Sequence, residues 1–348
     1  MIGGIIGYGS YIPTYRISIQ ELLRVRGGNA KRVVASLEVE EKSVPGKDED
    51  TVTMGVSAAK DALVRAGIDA EQIGAVYVGS ESHPYAVKPS ATLVGQALGI
   101  GKKYYAADME FACKGGTAAL QTSLAFVASG MCRYALAIGS DTAQAAPGDI
   151  LEYTASAGGA AFIVGKEEEN SIAIIEKTVS ITTDTPDFWR RNLQKFPQHT
   201  GRFTAQPAYC YHVVQAAERI LQESNMSPSD FDFVVFHQPN GKFPVMAASR
   251  LGFTPQQYQP ALLASKIGNP YAASVLLGLT KVFDQARPDQ KILVVSYGSG
   301  SGSDAFIIRT TDKICSVVQQ TKTTMDFVKH KKMLTYAQYE RLINGESV

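Results

Sequence analysis

The chain has 348 residues, which is long enough for two packed units of about 150–170 residues each. Its hydrophobic share of 45%, charged share of 19% and net charge of +1 are those of an ordinary globular protein, so the composition excludes disorder and a basic nucleic-acid footprint. We expect no membrane span and no signal peptide, because no apolar run approaches about 18 residues. The four cysteines are scattered, which argues against a disulfide framework or a zinc or other metal site and favours a reducing, cytoplasmic setting: Cys113, Cys132, Cys210 and Cys315.

Hydrophobic periodicity predicts alternating strands and helices in the first half of the chain. A polar, charged stretch runs from Arg24 to Asp50, and Gly27-Gly28 and Pro45-Gly46 mark loops in it. A helix that is apolar nearly all round is predicted at Gly116–Ser129 and should be buried between layers. The other predicted elements are strands at Ile2–Tyr8, Ala75–Gly79, Tyr104–Ala107, Tyr134–Gly139 and Gly159–Val164, helices at Thr51–Ala66 and Thr92–Leu98, and a functional loop at Ser140–Ser156.

The second half repeats this order of elements. Its predicted elements are helices at His212–Glu223 and Ala272–Phe283, and strands at Phe231–Phe236, Lys291–Tyr297 and Asp304–Arg309. A repeat of about 155 residues is far longer than a solenoid period and indicates a duplicated α/β domain. We therefore predict halves at residues 1–167 and 168–310 and a helical tail at 311–348, in which Met325–Ile343 forms a basic amphipathic helix.

Four polar residues lie at equivalent places in the two halves. Glu81 follows a predicted strand, and Cys113 comes 32 residues later; His237 follows the corresponding strand, and Asn269 again comes 32 residues later. A carboxylate, a thiol, an imidazole and an amide can together carry out nucleophilic acyl chemistry. The alternative for each residue alone is structural: a buried apolar cysteine, a surface acid and a core histidine.

Cys113 precedes Lys114-Gly115-Gly116-Thr117 and the buried helix. A helix N-terminus favours a thiolate, and the glycines would let backbone N–H groups approach an acyl oxygen. His237 and Asn269 resemble an oxyanion hole, and a desolvated Glu81 would suit removal of a proton from carbon beside a thioester. The glycine-rich Tyr297–Ser303 lacks a Lys-Ser/Thr ending and is interpreted as a turn lining a tunnel.

The chain resembles the thiolase superfamily, and within it archaeal-type hydroxymethylglutaryl-CoA synthases, over roughly residues 1–310. The matching segments are Ile5–Gly9, Glu41–Gly46, Gly79–Tyr85, Glu110–Lys114, Asp184–Arg190 and Gly201–Thr204. The resemblance implies a duplicated αβαβα sandwich. Cys, His and Asn alone would be shared with ketoacyl synthases.

The resemblance also implies roles for individual residues. It makes Cys113 the acyl-thioester nucleophile, Glu81 the general acid/base, and His237 the acid/base and polarising group for the second substrate. Implied ligand contacts are Ala30, Thr154, Arg202, Thr204, Lys242, Asn269 and Ser299, with Arg202 and Lys242 holding coenzyme A phosphates. Position 29 is Asn where the family is expected to carry Asp, so that side chain has no assigned role.

The implied reaction condenses acetyl-CoA with acetoacetyl-CoA and water through acetyl-Cys113, in the mevalonate pathway, with no metal or redox cofactor. The resemblance further implies a homodimer, with Gly158–Val164 near its interface. It also implies a complex with acetoacetyl-CoA thiolase through a zinc-ribbon/OB-fold scaffold protein. Two alternatives stay open: a ketoacyl synthase III-like decarboxylating enzyme that needs no Glu81, and a catalytically idle thiolase-like scaffold subunit.

Overall fold

The computed structural model describes residues 3–143, 145–166, 170–201 and 205–348. The strands of these residues are β1 (Gly3–Tyr11), β2 (Tyr15–Ser18), β3 (Glu41–Val44), β4 (Ile73–Gly79), β5 (Tyr105–Met109), β6 (Tyr134–Thr142), β7 (Ala157–Gly165), β8 (Ala173–Thr182), β9 (Phe188–Trp189), β10 (Gln198–His199), β11 (Phe233–Phe236), β12 (Lys291–Val295), β13 (Gly302–Thr310) and β14 (Lys332–Met333).

The helices of the same residues are α1 (Ile19–Arg26), α2 (Ala30–Leu37), α3 (Thr51–Ala66), α4 (Ser90–Leu98), α5 (Gly115–Ala128), α6 (Tyr211–Ser224), α7 (Lys242–Leu251), α8 (Pro255–Tyr258), α9 (Ala264–Ile267), α10 (Ser274–Phe283), α11 (Ile314–Val317), α12 (Thr324–Lys329) and α13 (Tyr336–Ile343). Helix α3 has the bounds that its apolar periodicity predicts. Asp50 forms a capping box at its start, and Gly67, in the left-handed conformation, ends it.

The strand order shows the duplication directly. Within the described residues, nine strands form one sheet in the order β11-β12-β13-β8-β1-β7-β6-β4-β5. In the first half β4 and β6 are parallel, and β7 is antiparallel to both β6 and β1. In the second half β11 and β12 are parallel, and β13 is antiparallel to both β12 and β8. The two halves therefore share one topology and meet where β1 pairs with β8.

Helices α5 and α10 form the layer between the two half-sheets. Leu120 and Leu124 of α5 share one buried cluster with Leu276 and Phe283 of α10, together with residues of strands from both halves. Helices α3 and α4 pack on the outer face of the first half, and α6 and α7 on the outer face of the second. These five layers confirm the predicted duplicated αβαβα sandwich.

The segment between β1 and α3 packs against the C-terminal tail. Strand β2 pairs with both β3 and β14, and one buried cluster joins residues of α1 and the α2 region to Tyr336 and Tyr339 of α13. The loops predicted at Gly27-Gly28 and Pro45-Gly46 are present, and α2 and β3, which were not predicted, lie between them.

Two further predictions need correction. The single tail helix Met325–Ile343 is wrong: α12 ends at Lys329, β14 pairs with β2, and Thr335 caps a new helix. Gly158–Val164 cannot lie at a dimer interface, because these residues are fully buried in β7 between β1 and β6. The predicted division after residue 167 falls outside the described residues, and it stays a prediction together with the division after residue 310.

Candidate active site

The duplicated topology brings together the four polar residues that the 32-residue spacing singled out. Glu81 follows β4, and His237 follows β11, the strand that holds the same position in the other half. Cys113 lies two residues before α5, and Asn269 lies shortly before α10. Because α5 and α10 occupy the shared middle layer, each half contributes one strand end and one helix start to the same region.

A tight turn carries the thiol of Cys113. Ala112 has φ 45°, an uncommon conformation for a residue with a side chain. The Lys114 and Gly115 N–H groups donate to the Phe111 and Ala112 carbonyls, each at 3.0 Å. The Gly115 N–H is therefore used inside the turn, and the approach of other backbone N–H groups to an acyl oxygen stays a prediction.

Glycines from both halves make close contacts with this turn. A Cβ atom at Gly79 would overlap the Gly115 backbone. A Cβ at Gly298 would lie 2.5 Å from the Phe111 carbonyl oxygen and 2.7 Å from Lys114 Cβ. The turn is thus clamped between the end of β4 and the loop after β12, which fixes the direction of the Cys113 side chain.

The Cys113 thiol donates a hydrogen bond to Glu81, with Sγ 3.3 Å from Oε1. Burial and the facing Glu81 carboxylate raise the pKa of Cys113 well above its ordinary value. The predicted thiolate at the helix start is therefore wrong for the free protein, because the neighbouring carboxylate and desolvation outweigh the helix dipole. The thiol is protonated at rest, and its proton lies next to a base.

Asp141, at the end of β6, accepts hydrogen bonds that fix the segment containing Glu81. Its Oδ1 accepts from the Ser80 hydroxyl at 2.6 Å, the Ser82 hydroxyl at 2.6 Å and the Glu81 N–H at 2.9 Å. Its Oδ2 accepts from the Ala272 N–H, just before α10, at 2.8 Å. Burial raises the pKa of Glu81 well above its ordinary value, and the Asp141 charge raises it further. Such a carboxylate is a stronger base than an exposed glutamate.

His237 has a different environment. It is 1% exposed, and burial lowers its pKa to about 3, so the imidazole is neutral. Tyr209 fixes its backbone by donating from the hydroxyl to the His237 carbonyl at 2.7 Å. Among the described residues, Nδ1 has no hydrogen-bond partner. A neutral imidazole with an unused ring nitrogen can exchange a hydrogen bond with a bound carbonyl or water.

Asn269 is held through both its backbone and its side chain. Its N–H donates to the Thr154 carbonyl at 2.7 Å, and its Oδ1 accepts from the Tyr271 N–H at 3.0 Å. Gly268, with φ 75°, allows this approach, because a Cβ there would lie 2.5 Å from the Thr154 carbonyl oxygen. With Oδ1 occupied, the amide NH2 is left to donate to a ligand.

Two adjoining cavities meet at these residues. One, of about 580 Å³, is lined by Cys113 and by the predicted site residues Thr154, His237, Lys242, Asn269 and Ser299. The other, of about 590 Å³, is lined by Glu81, Asp141 and Arg190. Phe188, Tyr271 and Ser299 line both cavities. The Cys113–Glu81 hydrogen bond therefore crosses the boundary between them.

The remaining predicted residues are placed as follows. Lys242 is exposed at the start of α7, so its ammonium group can reach an anion at the cavity mouth. Ala30 begins α2 and is not among the described residues that line either cavity, while Asn29 caps that helix by accepting from the Arg32 N–H at 3.1 Å. Arg202 and Thr204 lie outside the described residues.

Sequence reasoning missed several residues of this region. Asp141 could have been found, because it comes two residues after the predicted strand Tyr134–Gly139; in the structure it lies near the end of β6. Tyr271 has φ 42° and shares a small buried cluster with Cys113, but nothing in its sequence marks that conformation. Asp187 accepts a hydrogen bond from the Tyr297 hydroxyl at 2.7 Å and so holds the segment that carries Phe188. The two residues are more than a hundred positions apart in the chain.

Two features are absent from the part of the chain that the structure describes. Within residues 3–143, 145–166, 170–201 and 205–348, no group of three or more His, Cys, Asp or Glu side chains is arranged to hold a metal ion. No helix in these same ranges is long and apolar enough to cross a membrane.

A duplicated αβαβα sandwich with a buried thiol before a central helix, a carboxylate on its sulfur and a neutral imidazole and amide in the same cavity defines a thiolase-like condensing enzyme. Residues 2–169 match the model of the hydroxymethylglutaryl-coenzyme A synthase N-terminal domain. Residues 221–310 match that of the 3-oxoacyl-[acyl-carrier-protein] synthase III C-terminal domain.

Comparison with known proteins narrows this class. The hydroxymethylglutaryl-CoA synthase of Archaeoglobus fulgidus is 55% identical over 336 residues, covering 97% of each chain. A crystal structure of hydroxymethylglutaryl-CoA synthase complexed with CoA superposes with a TM-score of 0.89 at 25% identity, covering 98% of this chain and 90% of that one. The 3-oxoacyl synthase III of Pseudomonas aeruginosa shares the fold, with a TM-score of 0.81 at 18% identity, covering 89% of this chain and 98% of that one. The chain belongs to the hydroxymethylglutaryl-CoA synthase family.

Proposed function

We propose that this chain condenses acetyl-CoA with acetoacetyl-CoA and water to give 3-hydroxy-3-methylglutaryl-CoA and CoA. The observation that carries the proposal is the 3.3 Å contact between Cys113 Sγ and Glu81 Oε1. A decarboxylating condensation generates its carbanion by loss of carbon dioxide, whereas a synthase must remove a proton from the acetyl methyl group. A half-buried carboxylate hydrogen-bonded to the nucleophile is placed for that second task.

In the first stage the Cys113 thiol gives its proton to Glu81 as the sulfur attacks the acetyl-CoA carbonyl. The new carbon–sulfur bond replaces the thioester bond to CoA, and the proton on Glu81 leaves with the CoA sulfur. Glu81 is then a carboxylate again beside an acetyl thioester. The high pKa of Cys113 does not prevent this stage, because proton transfer and attack can occur together over the 3.3 Å hydrogen bond.

In the second stage Glu81 removes a proton from the acetyl methyl group, and the resulting carbanion attacks the ketone carbon of acetoacetyl-CoA. The oxygen of that ketone becomes an alkoxide and then a tertiary hydroxyl. His237 and the Asn269 amide stabilise the developing charge by hydrogen bonds, and burial keeps both groups dry. The alkoxide takes up the proton that Glu81 removed from the methyl group, which returns Glu81 to the carboxylate. Water then cleaves the Cys113 thioester, which releases the product carboxylate and restores the thiol.

The two cavities suggest where the substrates lie. The 580 Å³ cavity, with Lys242 at its mouth, is of a size to hold a pantetheine arm that ends at Cys113. We place the CoA phosphates near Lys242 and Arg202, and we propose Thr154, Ser299, Thr204 and Ala30 as further ligand contacts. No stage of this scheme calls for a metal ion or a redox cofactor.

We also propose a homodimer. Strand β5 ends the sheet and, among the described residues, pairs only with β4, which leaves one edge of backbone groups unpaired. Tyr105 on this strand is 51% exposed. Pairing of two β5 strands would cover that edge, and Tyr105→Asp should shift the mass measured by light scattering toward the monomer. An unchanged mass would place the dimer elsewhere or exclude it.

The resemblance adds a complex with acetoacetyl-CoA thiolase through a zinc-ribbon/OB-fold scaffold protein, a cytoplasmic location and a place in the mevalonate pathway. These also stay proposals. Co-purification of the three proteins from a common expression host tests the complex, and elution of this chain free of both would count against it.

One experiment separates the synthase from its two alternatives. The protein is incubated with acetyl-CoA, and the peptide that contains Cys113 is examined by mass spectrometry before and after acetoacetyl-CoA is added. Acetylation followed by release of hydroxymethylglutaryl-CoA is the expected result. Acetylation with condensation only on malonyl thioesters would favour a ketoacyl synthase III-like enzyme, and absence of acetylation would favour an idle scaffold subunit.

A further inference from the structure

The segment Glu41–Gly46 carries part of the family resemblance, yet it contributes no side chain to either cavity described above. It forms β3, which lies at the edge of the small sheet that β2 and β14 complete. Lys42 in this strand is 4% exposed, which is unusual for a lysine and indicates that its charge is held by specific partners.

The partners of Lys42 come from two distant parts of the chain. Its Nζ donates to the Glu152 carbonyl at 2.5 Å and to the Tyr339 hydroxyl at 3.3 Å. The same atom lies 5.1 Å from the centre of the Tyr339 ring. Lys42 therefore connects the C-terminal helix α13 to the short helical turn that contains Glu152.

Arg26 makes a parallel connection. Its guanidinium donates to both carboxylate oxygens of Glu152, at 3.2 and 3.1 Å, and its Cζ lies 5.2 Å from the centre of the Tyr336 ring. Glu152 is 1% exposed and also accepts from the Gly148 N–H at 2.6 Å. Two cations thus lie between one buried carboxyl residue and two aromatic rings of α13. We refer to Arg26, Lys42, Tyr336 and Tyr339 as the cation brace.

The turn held by the brace is a wall of the substrate cavity. Ile150, Leu151 and Thr154 line the cavity that contains Cys113 and His237. The far end of the turn is bonded to Asn269, whose N–H donates to the Thr154 carbonyl at 2.7 Å and whose carbonyl accepts from the Ser156 N–H at 3.0 Å. A displacement of Glu152 would therefore reach the cavity wall, whereas the two backbone hydrogen bonds to Asn269 hold the far end of the turn in place.

We propose that Lys42 and Arg26, held against the aromatic rings of α13, are positioning residues that set the width of the acyl-CoA cavity. The inference rests on the proposed function for the identity of the ligand. None of the brace residues lines the cavity, so they act through the Ile150–Thr154 wall. The brace governs how tightly CoA thioesters bind, and it leaves the Cys113–Glu81 pair unchanged.

The test compares substrate affinity with turnover in three variants. Lys42→Met keeps the length and volume of the side chain but removes the charge and its hydrogen bonds, and it should raise KM for acetoacetyl-CoA about tenfold while kcat changes less than about threefold. Tyr339→Phe keeps the ring and removes only the hydroxyl, and should raise KM about two- to threefold. Lys331→Met is the matched control.

Lys331 joins the same tail to the same strand, since its Nζ lies 2.5 Å from Glu41 Oε1, but it does not contact the turn. Its loss should lower thermal stability without a change in KM. Equal KM effects of Lys331→Met and Lys42→Met would overturn the proposal, because the brace would then act only through stability. An unchanged KM in folded Lys42→Met would overturn the proposal as well. If Lys42→Met does not fold, an unchanged KM in Tyr339→Phe would overturn it instead.

Direct binding separates this inference from the proposed reaction. Calorimetry with CoA alone should show the same order of affinities: wild type and Lys331→Met tightest, then Tyr339→Phe, then Lys42→Met. If the four proteins bind CoA with this order of affinities but the wild type forms no hydroxymethylglutaryl-CoA, the proposed reaction is wrong and the positioning role of the brace is supported. If all four proteins bind CoA equally and the wild type makes the product, the brace fails alone.

Discussion

The two halves of the molecule place a polar residue at the same strand end but surround it differently. Glu81 lies among Asp141, Ser80 and Ser82, and the hydrogen bonds of Asp141 tie that strand end to the start of α10. His237 instead lies near aromatic side chains, with the ring centres of Tyr209 and Tyr297 at 6.4 and 6.3 Å. The duplicated fold thus supplies equal positions, and the neighbours decide which chemistry each position performs.

The electrostatic consequence is opposite for the two groups. Burial and the Asp141 charge raise the pKa of Glu81, whereas burial alone lowers the pKa of His237 to about 3. One half therefore provides a strong base, and the other a neutral hydrogen-bonding group. This difference gives each half a separate task in the proposed reaction, and variants that affect only one half should separate those tasks.

The largest expected effect comes from the first half. Glu81→Gln keeps the shape of the side chain but removes the base, so condensation should fall by about 10²–10⁴-fold, the usual contribution of general acid–base catalysis. Acetylation of Cys113 should persist at a reduced rate, because Glu81→Gln removes the proton acceptor of the first stage and also the carboxylate charge that raises the pKa of the thiol. Steady-state rates and mass spectrometry of the Cys113 peptide measure the two effects. Glu110→Gln is the matched control, since Glu110 lines the same cavity at an exposed position; wild-type condensation by Glu81→Gln would contradict the assignment.

The corresponding change in the second half should be smaller. His237→Gln retains a hydrogen-bonding amide but displaces the donor, and condensation should fall by about 10²–10³-fold, as for loss of an oxyanion donor. The acetyl-enzyme should accumulate, because its formation depends on the first half. His199→Gln controls for the loss of an imidazole in the same cavity, since His199 lies there and contacts Asp149. Failure of His237→Gln to acetylate at all would show that the two tasks are not divided between the halves.

The pH dependence of turnover tests the raised pKa of Glu81. The deprotonated form is the base, so kcat should fall on the acid side at a higher pH than an ordinary glutamate would give. Asp141→Asn removes a negative charge that raises this pKa, and the acid limb should therefore move to lower pH. Because His237 is already neutral above about pH 3, its titration causes no change in kcat near neutral pH.

Asp108→Asn serves as the control for this shift. Asp108 accepts from the Ser90 N–H at 2.6 Å and the Ala91 N–H at 2.9 Å, at the start of α4. Its charge is not among those that shift Glu81. An acid limb that stays in place in Asp141→Asn, or that moves equally in Asp108→Asn, would rule out Asp141 as the source of the shift.

The fold was predictable because its signals are local. The 3.6-residue period of apolar residues, the N-cap Asp50 and the C-cap Gly67 define α3. The positions of Glu81 and His237 follow from the ends of β4 and β11, which the sequence also indicates. The tail was not predictable in the same way: Lys332–Met333 leaves the helical pattern because it pairs with β2, more than three hundred residues earlier in the chain. Likewise, the protonated state of Cys113 depends on Glu81 at 3.3 Å, and no property of the Cys113 segment reveals that neighbour.

The smallest expected effect concerns the contact of α5, in the first half, with the Ala272 region of the second half, which we call the seam. A Cβ at Gly116 of α5 would overlap the Ala272 carbonyl oxygen, which is backbone and cannot move aside, and would lie 2.8 Å from Leu276 Cδ1. Gly116→Ala should therefore destabilise the protein, because an overpacking cost of about 1–3 kcal/mol exceeds the gain of about 1 kcal/mol in helix preference. Thermal unfolding measures this change.

Gly55→Ala in α3 is the matched control, since a Cβ there would lie 3.1 Å from Ile138 Cγ2, a contact that a shift of a few tenths of an ångström relieves. It should leave the melting temperature nearly unchanged or raise it. If Gly116→Ala folds with reduced stability, its acetylation and condensation rates should fall together, because the contact fixes both Cys113 and the segment after Asn269. A fall in only one rate would show that the two halves can move independently at this seam.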